Sequence, residues 1–257
     1  MADNNITVVI PARMASSRYP GKPLVAIMGL PLVEHVRRRS LLAKEATSVV
    51  VATCDKEILE AVEHAGGKAV MTKDTHERCT DRIEEAMEKL PGDIVVMVQG
   101  DEPLLMPDAI SAVAAPLLKD PSLPIVNLLS ELESKADYAN PNIVKAVCNL
   151  KGDVVYFTRS AIPYFREERK VPVYRQTGIM AFRKKALNDF SALPETALER
   201  AESVDMLRAI EHGMRIAGVV VNYVTVGVDR PEDVALVESA IKNDAVQREL
   251  FRRISGR

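Results

Sequence analysis

Short β-branched runs alternating with helical stretches constrain this chain more than any other feature. Ile6–Ile10 reads Ile-Thr-Val-Val-Ile, Ser48–Thr53 reads Ser-Val-Val-Val-Ala-Thr, and Ile94–Val98 reads Ile-Val-Val-Met-Val. Runs this short and this uniformly apolar suit strands buried on both faces of a sheet. Lys68–Met71 and Pro124–Leu129 extend the series. Helices are expected between them. Pro31–Ala43 carries Leu32, Val36 and Leu41 at helical spacing, and Lys56–His64 stops at Gly66-Gly67; Thr80–Leu90 and Pro107–Leu118 follow. The expected fold class is α/β, with a mostly parallel central sheet covered by helices on both faces.

The middle third changes character. Val144–Asn149, Val154–Thr158 and Gly178–Arg183 read as strands between polar turns rich in Arg and Glu, so an antiparallel insertion is expected around residues 140–185. Helical spacing returns over Leu198–Glu211. A strand over Ile216–Thr225 and a final helix from Pro231 close the chain. No repeat or linker divides the 257 residues, so one domain with a lateral insertion is expected.

Composition excludes several classes of partner. The net charge of −2 mixes both signs along the chain, which gives no nucleic-acid or anionic-membrane surface. Three widely spaced cysteines fit a reducing cytoplasm better than a disulfide framework. Met1–Asn5 is polar and the apolar run after it is too short for a signal peptide, and no window reaches the length of a membrane span.

Chemistry is expected beyond the carboxyl ends of the strands, where open parallel sheets bind ligands. Ile6–Ile10 runs directly into a loop holding Arg13, Arg18, Gly21 and Lys22. Glycine lets the backbone approach an anion, the cations supply charge, and the prolines stiffen the loop, so this segment reads as a phosphate cradle. It is neither a Rossmann fingerprint nor a Walker loop, because Gly21-Lys22 is followed by Pro23. Gln99-Gly-Asp-Glu-Pro103 ends the strand Ile94–Val98, and Asp229 follows the last strand. Asp101 and Asp229 thus occupy equivalent ends, where two carboxylates suit Mg²⁺ with bridging phosphate oxygens. A helix-cap role competes for Asp229, since a helix begins just beyond it. His35, His64 and His212 lack metal-ligand spacing, whereas His76 stands before the helix Thr80–Leu90, which it could cap, or it could reach the nucleotide base. Cys54 and Cys79 fall near the inferred cleft without an acyl-transfer constellation.

At these residues the chain resembles the 3-deoxy-manno-octulosonate (Kdo) cytidylyltransferases, or CMP-Kdo synthetases. The matching pieces are Ile10-Pro-Ala-Arg-Met-Ala-Ser-Ser-Arg-Tyr-Pro-Gly-Lys-Pro-Leu24, Val-Ala-Thr near position 52, and Val-Gln-Gly-Asp-Glu-Pro. Asn140-Pro-Asn-Ile-Val-Lys145, Tyr156-Phe-Thr-Arg-Ser-Ala-Ile-Pro163 and Gly227-Val-Asp-Arg-Pro-Glu-Asp233 continue the match in order over nearly the whole chain. The resemblance implies a nucleotide-diphospho-sugar transferase-like sheet. It also implies transfer of CMP from CTP to the anomeric hydroxyl of an acidic 2-keto sugar, for lipopolysaccharide or other surface polysaccharide, by a homodimer. By that resemblance Arg13, Lys22 and Asp101 are catalytic, and Asp101 and Asp229 hold Mg²⁺. The nucleotide would be bound by Arg13, Gly21, Lys22, Thr80, Arg82 and Gln99, and the sugar by Gln99, Arg159, Gln176 and Asp205.

The chain departs from the family pattern mainly on the sugar side. Family His-x-Ser-Gly-Thr-Asp-Arg stands here as His76-Glu-Arg-Cys-Thr-Asp-Arg82, His-x-Gly-Ile-Tyr as Gln176-Thr-Gly-Ile-Met180, and Glu-Gln-Leu-Arg as Asp205-Met-Leu-Arg208. A lost hydroxyl partner costs about 1–3 kcal/mol, which favours a modified relative of Kdo as substrate. A different sugar acid or nucleotide on the same fold, or a non-catalytic nucleotide or sugar sensor, are the alternatives.

Overall fold

The computed structural model describes residues 5–132, 134–167, 171–223 and 226–256. Contacts group the chain into two compact units, Met1–Ser111 with Thr225–Arg257, and Ala112–Val224.

In the first unit β1 (Ile6–Ala12) is buried along its whole length. The loop after it passes through a short 3₁₀ turn at Lys22–Leu24 and a two-stranded ribbon, β2 (Ala26–Ile27) with β3 (Leu30–Pro31), into helix α1 (Leu32–Ser40). β4 (Ser48–Thr53), α2 (Lys56–His64), β5 (Lys68–Met71), α3 (Cys79–Glu88) and β6 (Ile94–Met97) follow. β1 is parallel to β4 and β6, with Val9 beside Val50 and Met97, and β4 is parallel to β5. Branched side chains with restricted χ1 fit this two-sided burial, and Val8, Val9 and Ile10 are fully enclosed.

The first strand is expected to end at Ile10, the last residue of its β-branched run; a proline follows, which has no N–H to give a ladder. β1 nevertheless continues through Pro11 and Ala12, paired with Ala52 and Thr53 of β4. Its last register pair with β6 is Val9 with Met97, so Pro11 extends the strand where only one neighbour remains. That extension delivers Arg13 at the strand end.

The chain passes through α4 (Pro107–Lys119) into the second unit. There β7 (Ile125–Glu131), α5 (Lys135–Ala139), β8 (Lys145–Cys148), β9 (Val154–Thr158), β10 (Tyr174–Arg183), α6 (Lys184–Ser191), α7 (Ala197–Glu202), α8 (Met206–Glu211) and β11 (Ile216–Val221) follow in order. β11 is parallel to β7, whereas β10 is antiparallel to both β7 and β8, and β8 is antiparallel to β9. These antiparallel strands span the segment where an insertion is expected. The single helix expected over Leu198–Glu211 is two, because Ser203 takes a left-handed φ of 52° between α7 and α8. The last positions of the strand expected over Ile216–Thr225, 224 and 225, lie outside the described residues.

The chain ends in the first unit with α9 (Asp233–Asn243) and α10 (Ala245–Ser255). The Asp244 carboxylate accepts from the Gln247 N–H and starts α10 anew, which divides the one helix expected there. Parallel strands with helices around them, together with a smaller antiparallel group, make this a mixed α/β fold. Among the described residues no helix is long and apolar enough to cross a membrane.

Candidate active site

The cradle after β1 is fixed at both ends. At its start the Met14 N–H donates to Asp55 Oδ2 at 2.8 Å, and Asp55 follows the parallel neighbour β4. At its end Gly21 adopts φ +75° and donates its N–H to the Met14 carbonyl at 2.9 Å. A Cβ at Gly21 would meet only Met14 Cε at 3.6 Å, so the left-handed backbone, not lack of space, calls for glycine. Spacing alone does not disclose the role of Asp55; its position after a strand was the only signal.

Two further turns converge on this loop. Gly100 packs against β1 so closely that a Cβ there would lie 2.7 Å from the Pro11 carbonyl oxygen. The Asp101 carbonyl accepts from the Val228 N–H at 2.8 Å, which ties the turn after β6 to the one before α9. Asp101 and Asp229 therefore meet, although 128 positions (229 − 101) separate them in sequence. Lys22 Nζ donates to Asp101 Oδ2 at 2.7 Å, to the Val228 carbonyl at 2.9 Å and to Asp229 Oδ1 at 3.3 Å. Arg18 Nη2 reaches the same Asp229 oxygen at 3.0 Å. Asp229 does not cap α9, whose N-cap residue is Glu232; instead Asp233 Oδ2 accepts from the N–H groups of Asp229 and Arg230, both at 2.8 Å, and fixes the turn before the helix. The Asp229 carboxylate is left to face the cations.

Arg13, Arg18, Lys22, Gln99, Asp101 and Asp229 line one pocket. Arg13 is exposed and, among the described residues, forms no ion pair, so its charge is available to a ligand. Cys79 Sγ donates to Gln99 Oε1 at 3.5 Å and orients that amide at the pocket wall. Thr80 is fully buried at the start of α3. Arg82 is 3% exposed and spends Nη1 on Thr72 Oγ1 at 2.5 Å and the Lys73 carbonyl at 3.2 Å. His76 caps no helix; its Nε2 contacts Glu85 Oε2 at 2.5 Å, which also accepts from the Lys73 N–H at 2.9 Å. Burial pushes the Glu85 carboxyl up, but these two hydrogen bonds outweigh it and hold the group below its ordinary range. Arg82, His76 and Glu85 thus brace the segment that precedes α3.

Of the residues assigned to the sugar, Gln99 belongs to the first unit, and Arg159, Gln176 and Asp205 to the second. Arg159 donates to three carbonyls, those of Glu202 at 2.6 Å, Pro141 at 3.1 Å and Ser203 at 3.4 Å. Lys145 is fully enclosed, and its ammonium satisfies the carbonyls of Asn140, Ile143 and Arg159 at 2.9, 2.8 and 2.6 Å. Burial, helped by the nearby Arg159 charge, lowers its pKa. Gln176 Nε2 donates to Asn127 Oδ1 at 2.9 Å, beside the register shift in β10. Asp205 precedes α8, and Arg208 of the same motif forms a bidentate buried pair with Glu199 at 2.8 and 2.6 Å. Glu202 and Lys145, which hold Arg159 in place, carry no sequence signal beyond their motif neighbours.

Residues 7–216 match the profile of the cytidylyltransferase family. The chain belongs to the cytidylyltransferase family. Among its relatives, the 3-deoxy-manno-octulosonate cytidylyltransferase of Pelobacter propionicus is 41% identical over 95% of this chain and 99% of that one. The Escherichia coli protein of the same name is 42% identical over 87% of this cytidylyltransferase and 91% of its relative. A solved CMP:2-keto-3-deoxy-manno-octonic acid synthetase complexed with CTP superposes with a TM-score of 0.89 at 40% identity, covering 93% and 99% of the two chains. The 4-diphosphocytidyl-2C-methyl-D-erythritol synthase of Anaerococcus prevotii, with a TM-score of 0.63 at 14% identity over 94% and 100%, shares the fold.

Proposed function

We propose that this cytidylyltransferase joins CMP to the anomeric hydroxyl of Kdo, using CTP and releasing pyrophosphate, in the synthesis of lipopolysaccharide. The convergence of Asp101 and Asp229 on Lys22, beside Arg13 and Arg18, carries the reading. The names of the relatives that match over nearly the full length supply the nucleotide and the sugar. In the reaction the sugar oxygen attacks the α-phosphorus, the bond to the pyrophosphate oxygen breaks, and the hydroxyl proton leaves. Such a transfer needs alignment and charge neutralisation more than covalent help. Arg13, Arg18 and Lys22 would hold the triphosphate, and Gln99, oriented by Cys79, would face the reacting centre.

The donor set fits Mg²⁺. Two carboxylates already converge on a cation at 2.7 and 3.3 Å. Among the described residues no cluster of three or more His, Cys, Asp or Glu could hold a metal, so phosphate oxygens and water would complete the shell, as Mg²⁺ prefers. When bound, the ion would neutralise charge developing on the phosphoryl oxygens.

Arg159, Gln176 and Asp205 would recognise the sugar acid. A modified Kdo is the second reading, favoured by Met180, which is 5% exposed and offers no hydroxyl. All three cysteines are unpaired, which supports a cytoplasmic site of action, and a homodimer is expected from the family resemblance.

Pyrophosphate release, measured with four nucleoside triphosphates against Kdo and other 2-keto sugar acids, with and without Mg²⁺, tests the whole reading. Release only with CTP, Kdo and Mg²⁺ together is the expected result. Preference for another sugar acid by a wide margin would shift the assignment to the modified substrate, and no release with any pair would refute the enzyme.

A further inference from the structure

Lys22 stands between the two carboxylates assigned to the metal. Its three N–H donors match its three acceptors, Asp101 Oδ2, the Val228 carbonyl and Asp229 Oδ1. The Lys22 side chain is only 13% exposed, and Arg18 adds a second cation on Asp229. Two cations and two carboxylates therefore neutralise each other locally. A divalent cation taking either oxygen of each carboxylate would stand close to the ammonium already bound to Asp101 Oδ2 and Asp229 Oδ1, and like charges that close repel strongly.

We propose that Lys22 is a built-in counter-ion of the metal site, which withholds Asp101 and Asp229 from a bare divalent cation. It releases them when a triphosphate offers the ammonium a stronger anion. This inference rests on the metal-dependent reading above. Entry of a metal alone would strand Lys22 and Arg18 beside added positive charge. Entry of the metal with a triphosphate gives both cations new oxygens, in charge-assisted bonds at least as good as those they leave. Metal and nucleotide then bind cooperatively. By linkage, the factor by which nucleotide tightens the metal equals the factor by which the metal tightens nucleotide.

Mn²⁺ binding to the full chain, followed by loss of the free-ion EPR signal, tests this without turnover. Without nucleotide, Lys22→Gln is expected to bind Mn²⁺ about tenfold or more tightly than wild type, the scale of one displaced charge-assisted bond. The α,β-methylene analogue of CTP should tighten Mn²⁺ on wild type by a similar factor and on Lys22→Gln by much less. Equal Mn²⁺ affinity of the two proteins without nucleotide overturns the counter-ion role. Tight Mn²⁺ binding by wild type alone, lost in Asp101→Asn, overturns it as well and requires no variant at Lys22. Failure of the underlying metal assignment has a different signature: Asp101→Asn then leaves Mn²⁺ binding unchanged in the Lys22→Gln background, and the proposal falls with it.

Discussion

The residues assigned to the triphosphate and those assigned to the sugar are held in opposite ways. In the first unit, charged side chains face charged side chains: Lys22 and Arg18 meet Asp101 and Asp229. In the second, Arg159 gives its guanidinium to the carbonyls of Pro141, Glu202 and Ser203. A carboxylate held by a cation can be handed to another cation when a ligand arrives. A backbone carbonyl held by a guanidinium is fixed by the chain itself and is not a group that an arriving ligand's cation takes over. The first cluster is built to exchange partners, the second to stay fixed.

The largest effect should follow from breaking the exchangeable cluster. Asp101→Asn is expected to lower kcat by about 10²–10³-fold, as loss of one preorganised electrostatic contact does. Lys22 keeps Asp229 and the Val228 carbonyl, so the melting temperature should hardly move. A large loss of stability with modest loss of turnover would invert the comparison for this unit.

Not every polar group in the first unit exchanges partners. His35 is fully enclosed in α1, stacked 5.6 Å from Phe251, with Nε2 at 2.8 Å from the Ile27 carbonyl oxygen. Burial first, then the Arg39 and Arg38 charges, outweigh that hydrogen bond and the Glu34 charge and lower its pKa from 6.5 to about 4. The unfolded chain takes up this proton below its ordinary pKa while the folded chain resists. The contribution is thus complete above that value and is lost as pH falls toward the folded one. Over that window it reaches about 3 kcal/mol. Denaturant unfolding between pH 7 and pH 4 should show this dependence in wild type and a flatter one in His35→Phe; parallel curves would remove His35 as the cause.

Arg159→Met examines the fixed cluster. We expect a stability loss of about 1 kcal/mol, chiefly from the half-buried Glu202 carbonyl, seen as a lower melting temperature. We also expect a rise in KM for the sugar with KM for CTP unchanged. A variant of wild-type stability would show that the guanidinium does not hold the framework.

Much of this contrast was legible in the sequence, and the part that was not has a physical reason. Arg13, Lys22, Asp101 and Asp229 were recognisable because each follows a short β-branched run, and strand ends of a parallel sheet gather on one edge. The continuation of β1 through Pro11 was not, because tolerance of a proline depends on whether the neighbouring strand still needs its N–H. The break at Ser203 was hidden for a related reason, since a left-handed serine leaves no mark in hydrophobic periodicity. Lys145 is the hardest case. Inside a strand it reads as a solvated cation, yet it is fully enclosed because two carbonyls of the turn just before it, Asn140 and Ile143, and that of the distant Arg159 meet its ammonium. The Arg159 carbonyl, fourteen residues away, has no signature in the hydrophobic pattern around Lys145.

The smallest expected effect bears on Gln99, which belongs to neither pattern. Among the described residues its amide is held by the Cys79 thiol at 3.5 Å, a weak donor, and not by a charge or a backbone group. Cys79 stands where the family pattern has glycine, so the contact is an addition to a site that works without a side chain there. Cys79→Ala should therefore lower kcat/KM by less than about threefold, within the range of one weak neutral hydrogen bond. Cys79→Ser, whose hydroxyl donates more strongly but reaches less far, should stay within the same limits. Steady-state kinetics with CTP and Kdo varied in turn checks both. If Cys79→Ala instead approached the loss expected for Asp101→Asn, Gln99 would have to be held as tightly as the charged cluster. The thiol would then rank with Lys22 among the contacts on which the chemistry depends.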